Sequence, residues 1–183
     1  MNAHEDPGST NPDTVPGKPA EFHIATATTA DVPDIMSMIR ALAEYEKLSH
    51  LCVATEADIA RHVFITRRVE VLLGWRNGRP VCFALFFHNF STFLGRPGLY
   101  LEDLFVLPEF RRHGYARKML VELARLAVQR GCGRFEWSVL DWNEPAIRFY
   151  QSLGATILPD WRITRMTGSA LTTLAGGGEA QGA

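Results

Sequence analysis

The sequence predicts an α+β fold (α/β mixed), in which helices flank a mixed but mostly antiparallel sheet. Its 183 residues are 46% hydrophobic and 21% charged, which suits a globular domain. Asn77-Gly78 separates two apolar runs and predicts a tight antiparallel hairpin. A strand, a loop and an amphipathic helix follow between residues 98 and 131, ahead of another strand, which indicates a crossover between parallel strands. The predicted order is therefore β, α, α, β, β, β, α, β, α, β.

The first half of the chain opens with a predicted strand at 22–27 and a long helix. Apolar side chains recur three or four residues apart in that helix. Thr29 or Asp31 can cap it, and Pro33 fits its first turn. A capping-box pattern then begins a shorter helix that ends near residue 66, and the two hairpin strands follow. The capping pair is Thr55 with Asp58, and the strands are 69–75 and 80–90.

The second half begins with a predicted strand at 98–107, whose following helix is stopped by Gly131. A later compact helix has Asn143 as its cap, Pro145 in its first turn and Gly154 at its end. The remaining predicted strands are 134–140 and 161–166.

The composition changes at both ends of the chain. Residues 1–20 are rich in Pro, Gly, Ser, Thr, Asn and Asp, and the chain finishes in "LAGGGEAQGA". The N-terminal segment has no hydrophobic periodicity and the C-terminal one ends in a Gly-rich run, so each is predicted to be a flexible tail. The expected organisation is an N-terminal tail at 1–20, one folded domain at 21–167 and a Gly-rich C-terminal tail at 168–183.

Charge, hydropathy and cysteine usage argue against several classes of protein. A net charge of −1 gives no general attraction to nucleic acid or to an anionic membrane. No segment has the roughly 18 consecutive apolar residues of a membrane span, and the N-terminus lacks a signal-peptide core. The three cysteines fit neither a disulfide framework nor a zinc site, and no histidine spacing favours a metal. We expect a cytoplasmic protein that binds no metal.

The main chemical signal lies in "LPEFRRHGYARKML", residues 107–120. Within it, residues 111–116, here called the anion loop, lead into a helix that begins near Tyr115. Gly114 permits a tight turn, and Ala116 allows a ligand to approach the backbone. Helix N–H groups and the helix dipole then favour a phosphate or pyrophosphate. Arg and Lys side chains oppose that dipole until an anion binds: Arg111, Arg112, Arg117 and Lys118. The alternative is a solvated basic helix face.

This stretch resembles the R/Q-x-x-G-x-G/A signature of GCN5-related N-acetyltransferases (GNAT). "LAEYEK", "LYLEDLFV" and "WNEPAIRFYQSLGA" are similar to segments of the diamine (spermidine/spermine) and thialysine N-acetyltransferase branch. The resemblance covers about residues 22–166. It implies the GNAT fold, with a V-shaped splay between the two central strands, acetyl-CoA as co-substrate, and a homodimer.

The resemblance also implies which residues bind the coenzyme. The anion loop holds the pyrophosphate, and the backbone of one strand runs beside the pantetheine arm. Asn143 either contacts the coenzyme or only caps its own helix. The implied coenzyme-binding residues are Leu104, Phe105, Val106, Arg111, Arg112, His113, Gly114, Tyr115, Ala116, Arg117, Asn143, Pro145, Ala146 and Tyr150.

Acetyl transfer to an amine needs a neutral nucleophile and a proton for the departing thiolate. The resemblance places Tyr150 at the coenzyme sulfur, where a phenol, whose ordinary pKa is about 10, can donate that proton. Helical spacing by itself would make Tyr150 a core residue. Glu102 is placed at the acceptor site, where it binds the ammonium or receives its proton through water. The alternative for Glu102 is a structural ion pair.

Further acidic residues accompany the predicted acceptor site. Glu102 and Asp103 interrupt an apolar strand, so at least one should meet a pocket or a partner. Tyr45 and Glu46 match a substrate-contacting pair of the resembled branch, although a plain helix end explains them equally well.

The predicted function is acetyl transfer to the primary amine of a small molecule, a diamine, a polyamine or a thialysine-like amino acid. "ILPDWR" has only Asp160 where polyamine enzymes carry an acidic stretch, which disfavours spermidine. The alternatives are a non-catalytic CoA-binding sensor or partner protein, and an acetyltransferase that acts on a protein amine.

Overall fold

A computed structural model describes residues 21–177, and the chain divides into two units between Ser138 and Val139. The predicted tail at 1–20 lies outside the described residues. The first unit contains β1 (Phe22–Thr26), α1 (Val32–Tyr45), α2 (Glu56–Ala60), β2 (Glu70–Arg76), β3 (Arg79–Ser91), β4 (Arg96–Val106), α3 (Tyr115–Gln129) and β5 (Arg134–Trp137). The second contains α4 (Glu144–Ser152) and α5 (Gly168–Ala175).

The five strands form one sheet in the order β1-β2-β3-β4-β5. The first four strands pair antiparallel, and β5 pairs parallel to β4 after the α3 crossover. The β2–β3 turn has positive φ at both Asn77 and Gly78, as a tight hairpin requires. The predicted mixed, mostly antiparallel sheet with flanking helices is confirmed.

The sheet opens between β4 and β5. Pairing joins Gly98 through Leu101 of β4 to residues 134–137, and β5 ends there. β4 continues to Val106, so its last five residues have no β5 partner among the described residues. This opening corresponds to the expected splay between the two central strands.

Helices cover both faces of the sheet. Alternate residues of β2 and β3, including Leu73 and Phe83, pack with Ile35 and Met38 of α1. The intervening residues face the other way, as the period of a strand requires. Buried residues of α3 line that second face: Tyr115, Met119, Leu120, Leu123 and Ala127.

One contact on the second face joins the start of α3 to the edge of the sheet. The Tyr115 ring stacks on Phe22 of β1, with ring centroids 4.1 Å apart and planes 5° from parallel. Below Phe22 lies Gly74 of β2, where an added Cβ would come within 2.7 Å of the Phe22 ring and still closer to Cys82 Sγ. Glycine at residue 74 is therefore what allows Phe22 to lie under Tyr115.

The helix caps agree with the sequence in part. Thr55 and Asp58 form the predicted capping box, in which the Asp58 N–H donates to Thr55 Oγ1 at 3.2 Å. Asp31 precedes α1 but makes no side-chain capping bond to it. Its carboxylate instead accepts hydrogen bonds from the Thr28 N–H and hydroxyl, at 2.7 and 2.8 Å, and so closes a short 3₁₀ turn. Asp31 therefore occupies the N-cap of α1, as one of the two predicted candidates, but without a side-chain capping bond.

Three predictions about secondary structure differ from the structure: the end of one strand, the existence of another and the course of the C-terminal segment. β5 stops at Trp137 rather than at residue 140, and 161–166 contains no strand. Trp161 and Ile163 are 74% and 71% exposed, and a strand needs a neighbouring edge for its backbone hydrogen bonds, which alternation in sequence does not supply. The C-terminal segment predicted as a tail includes α5, a helix without buried residues.

Candidate active site

The backbone of the anion loop has the geometry expected of an anion site. Arg112 and Gly114 have φ values of 65° and 76°, and Gly114 is the N-cap of the 15-residue helix α3. The first N–H groups of a helix have no partner inside it, so those at the start of α3 are available to a ligand. A Cβ on Gly114 would meet no atom within 4 Å, so the space beside the loop is open.

The side chains of the anion loop take different directions. Arg112 and His113 are exposed. The His113 Nδ1–H donates to the Arg111 carbonyl at 2.8 Å, which fixes the imidazole beside the loop. Tyr115 is only 7% exposed, because its ring packs on Phe22, so its backbone alone can meet a ligand. Ala116 is half-buried in the first turn of α3.

Arg117 and Lys118 lie on the flank of α3 that faces β1. Both line an open cavity of about 420 Å³ between this helix and the first strand. The Lys118 ammonium lies 5.1 Å from the centre of the Phe22 ring, a favourable cation–π position. Their side chains therefore lie on the β1 side of the first turn of α3.

The open edge of β4 lies directly before the anion loop. Phe105 is buried on the α1 face, whereas Leu104 and Val106 are half-buried. The Leu107 N–H donates to Val81 of β3 at 3.0 Å, so the Val106 carbonyl of the same peptide group points away from β3, toward the open edge. This edge can accept an extended ligand in the manner of an added strand.

The structure brings one carboxylate from the end of α1 close to two adjacent carboxylates of β4. These three residues are here called the carboxylate cluster: Glu46, Glu102 and Asp103. The register pairs Phe86 with Leu101 but Leu85 with Asp103, so Glu102 is the additional residue of a β-bulge. Glu102 is exposed and Asp103 is half-buried. Glu46 is the C-cap of α1.

Two carboxyl groups of the carboxylate cluster have raised pKa values. Burial, and then the negative charges of Glu102 and Glu46, raise the pKa of Asp103 from 3.8 to about 7. Burial also raises the pKa of Glu46. None of the ion pairs found within residues 21–177 involves these three carboxylates. The cluster thus offers uncompensated negative charge to a cation.

Tyr45 connects the carboxylate cluster with the anion loop. It is the last residue of α1, and the residue is 39% exposed. The Arg111 guanidinium lies 4.5 Å from the centre of that ring and 5.4 Å from the centre of the Phe105 ring. The Arg111 side chain is therefore directed toward Tyr45 and Phe105 and not outward from the loop.

The remaining predicted site residues belong to the second unit. Asn143 is the N-cap of α4, and its Oδ1 accepts from the Ala146 N–H at 3.4 Å, which confirms its capping role. Pro145 is in the first turn. Tyr150 is half-buried on the same helix, with its ring 5.4 Å from that of Phe149. Their predicted contacts with the coenzyme stay predictions.

Within residues 21–177, no group of three or more His, Cys, Asp or Glu side chains is arranged to hold a metal ion. The same residues include no helix of the length and hydrophobicity needed to cross a membrane.

The chain matches the family model described as Acetyltransferase (GNAT) family over residues 35–155. That match includes most of α1, the sheet from β2 to β5, the anion loop and α4. The chain belongs to the GNAT family. The predicted family, fold, N-acetyltransferase activity and acetyl transfer to a small-molecule amine are all confirmed.

Relatives of this acetyltransferase act on small amines. It is 33% identical to an L-ornithine N5-acetyltransferase of Arabidopsis thaliana, over 89% of this chain and 94% of the relative. It is 36% identical to a thialysine N-epsilon-acetyltransferase of Caenorhabditis elegans, over 84% and 97%.

The acetyltransferase also resembles solved structures. An integron cassette protein from V. cholerae is 25% identical and superimposes with a TM-score of 0.72, over 84% of this chain and 97% of that one. An aminoglycoside N-acetyltransferase in complex with CoA superimposes with a TM-score of 0.67 at 16% identity, over 84% and 99%, which supports the fold.

Sequence reasoning missed the residues that support the anion loop from below. Phe22 and Gly74 hold Tyr115 in place, yet they lie far from it in the sequence. An isolated glycine in a predicted strand was the one available signal, since it indicates a bulge or a close approach.

Proposed function

We propose that this acetyltransferase uses acetyl-CoA to acetylate the side-chain amine of a basic amino acid of the ornithine or thialysine type. The carboxylate cluster is the observation that carries this proposal. Three half-buried or exposed carboxylates, unpaired among the described residues, form a site for an ammonium group. The ornithine and thialysine acetyltransferases among its relatives support the same substrate class.

On the donor side, we propose that the anion loop binds the pyrophosphate of acetyl-CoA. Its left-handed backbone, the first N–H groups of α3 and the exposed Arg112 suit that group. We further propose that the backbone of Leu104, Phe105 and Val106 binds the pantetheine arm along the open edge of β4. Arg117, Asn143, Pro145 and Ala146 complete the proposed coenzyme contacts.

When bound, acetyl-CoA supplies an activated acetyl group as a thioester. Glu102 or Asp103 accepts a proton from the substrate ammonium, which leaves a neutral amine. Asp103 suits this step, since a base whose pKa lies near 7 exchanges protons readily at neutral pH. The amine nitrogen would then bond to the acetyl carbon as the carbon–sulfur bond breaks, and Tyr150 would give its phenol proton to the departing thiolate. The acetylated nitrogen would lose its extra proton to the tyrosinate, which restores Tyr150 and leaves a neutral amide and a free thiol. A backbone N–H of β4 polarises the thioester carbonyl.

The test is release of free thiol from acetyl-CoA with a panel of acceptors at equal concentration: ornithine, thialysine, lysine, putrescine, spermidine and a lysine-containing peptide. We expect ornithine and thialysine to react fastest and spermidine slowly, because Asp160 is alone in "ILPDWR". Activity on the peptide alone would favour a protein amine as acceptor. Coenzyme binding without thiol release from any acceptor would favour a non-catalytic CoA-binding protein.

Two variants separate the proposed roles. Tyr150→Phe should lower kcat by about 10- to 100-fold with little change in coenzyme affinity, since it removes only the proton donor. Glu102→Gln should raise the KM of the amine. A Tyr150→Phe variant with wild-type kcat would show that another group supplies the proton.

We also propose a cytoplasmic homodimer. Its free cysteines, Cys52, Cys82 and Cys132, suit a reducing compartment. Exposed apolar residues between 157 and 174, among them Trp161 and Ile163, suit burial against a second copy. Light scattering after gel filtration should give twice the mass of the chain, and a monomeric mass would contradict the dimer.

A further inference from the structure

The backbone and the side chain of Arg111 lie in different parts of the site. The backbone belongs to the anion loop, where its N–H donates to Pro108 at 3.2 Å and its carbonyl accepts from His113. The side chain turns back toward the end of β4, and Nε donates to the Val106 carbonyl at 3.1 Å. That carbonyl points to the open edge of the strand. The guanidinium is thereby fixed beside this edge.

The other cations of this region differ from Arg111. Arg112, Arg117 and Lys118 are exposed, as suits side chains that contact a phosphate. Arg111 is half-buried between two aromatic rings, with its guanidinium 4.5 Å from the centre of Tyr45 and 5.4 Å from that of Phe105. A guanidinium placed over aromatic faces is held there by cation–π attraction. Its side chain is therefore poorly placed to contribute to phosphate binding.

Tyr45 links the fixed Arg111 guanidinium to the carboxylate cluster. It ends α1, and the next residue, Glu46, is near enough to Asp103 for its charge to raise the pKa of that residue. The chain then leaves the helix through Lys47, which has a φ of 62°. Holding the Tyr45 ring therefore limits the movement of Glu46 relative to β4.

We propose that Arg111 is a positioning residue for the acceptor amine. Its guanidinium fixes Tyr45, and through it Glu46, against the end of β4, while its backbone serves the coenzyme. This inference rests on the proposed function for the identity of the carboxylate cluster as the amine site. It separates two roles within one residue of the R/Q-x-x-G-x-G/A motif.

The experiment compares Arg111→Met with Arg112→Met in the full-length protein. Both remove one cation from adjacent residues and keep a long side chain. We expect Arg111→Met to raise the KM of the amine about tenfold and to leave the Kd of coenzyme A within about twofold. Arg112→Met should do the reverse. Arg111→Lys should recover little, since a lysine cannot reproduce the guanidinium stacking. An Arg111→Met variant that loses coenzyme affinity but keeps its amine KM would overturn the proposal.

A double-mutant cycle with Tyr45→Leu tests whether Arg111 acts through Tyr45. The double variant should have an amine KM no higher than the worse single variant, and additive effects would contradict the pathway. If the wild type acetylates no amine of the panel, the proposed function fails, and amide hydrogen exchange at residues 42–47 still decides the role of Arg111. Faster exchange there in Arg111→Met than in Arg112→Met supports positioning, and equal exchange refutes it. Arg111→Lys provides the same comparison if Arg111→Met does not fold.

Discussion

The anion loop and the carboxylate cluster, which we propose to recognise opposite charges, are built in opposite ways. The loop occupies six consecutive residues, and its donors are backbone N–H groups that depend on the conformation of Arg112 and Gly114. The carboxylate cluster joins the end of α1 to a bulge in β4, and its properties depend on burial.

This difference determines how each region responds to change. In the loop, a left-handed φ and an open space decide whether an anion can approach, so backbone and steric changes should dominate. In the cluster, removal from water and mutual repulsion decide the protonation of Asp103, so charge and pH should dominate.

The largest expected effect comes from the loop. Gly114→Glu should weaken coenzyme binding by at least about 100-fold, because it places a carboxylate in the open space and a side chain at a φ of 76°. Strain from the left-handed φ should cost about 1 kcal/mol of stability. Gly131→Glu is the matched control, since Gly131 has a φ of 68° at the other end of α3 and is also unobstructed. Titration calorimetry should show coenzyme affinity unchanged in the control, and equal losses would remove the loop from the site.

The next effect tests the carboxylate cluster. The pKa of Asp103 is about 7 in the folded chain, above its ordinary 3.8, so the folded state binds more protons between these values. Stability should therefore fall as pH rises from about 4 to 7, and Asp103→Asn should abolish that decline. At pH 8 we expect urea denaturation of Asp103→Asn to give a free energy of unfolding on the order of 1 to 2 kcal/mol above that of the wild type. Its amine KM should be about tenfold higher than that of the wild type.

Asp58→Asn is the matched control for Asp103→Asn. Hydrogen bonds from Thr55 lower the pKa of Asp58, so this carboxylate stabilises the fold at neutral pH and loses that effect in acid. Its replacement should lower stability and leave the amine KM unchanged. If both variants were more stable than the wild type, burial of Asp103 would not explain the stability gained by Asp103→Asn.

The smallest expected effect on ligand binding comes from a change outside the loop, which tests whether the loop depends on distant packing. Gly74→Ala forces Phe22 and Cys82 apart, and we expect a loss of about 2 kcal/mol in the free energy of unfolding. Displacement of Phe22 should disturb Tyr115 and weaken coenzyme binding severalfold. Adding Cys82→Ala should restore part of the stability by removing the sulfur nearest the new methyl group. Unchanged coenzyme affinity in Gly74→Ala would mean that the loop keeps its shape without this support.

Much of the fold could be predicted, because its signals are local. Each signal depends on residues that are close together in the sequence. Examples are the hydrophobic periodicity, the Asn77-Gly78 turn and the Thr55 capping box. The expected strand at 161–166 failed, since alternation gives a strand its faces but not the neighbour that satisfies its backbone.

The candidate site also contains features that the sequence predicts and features that it does not. The loop residues were predictable because their order along the chain is their arrangement in space. The bulge at Glu102 and the position of the Arg111 guanidinium over Tyr45 were not, since each depends on a strand or helix that is remote in the sequence.

By itself the sequence determined the family, the order of the elements through α4 and the anion loop, since these depend on residue types at fixed short spacings. Only the tertiary structure decided that Glu46 lies near Asp103, that Asp103 holds a proton near pH 7, and that the Arg111 side chain turns toward Tyr45. The physical reason is that burial and electrostatic coupling are properties of neighbours in space, which the chain acquires only when it folds.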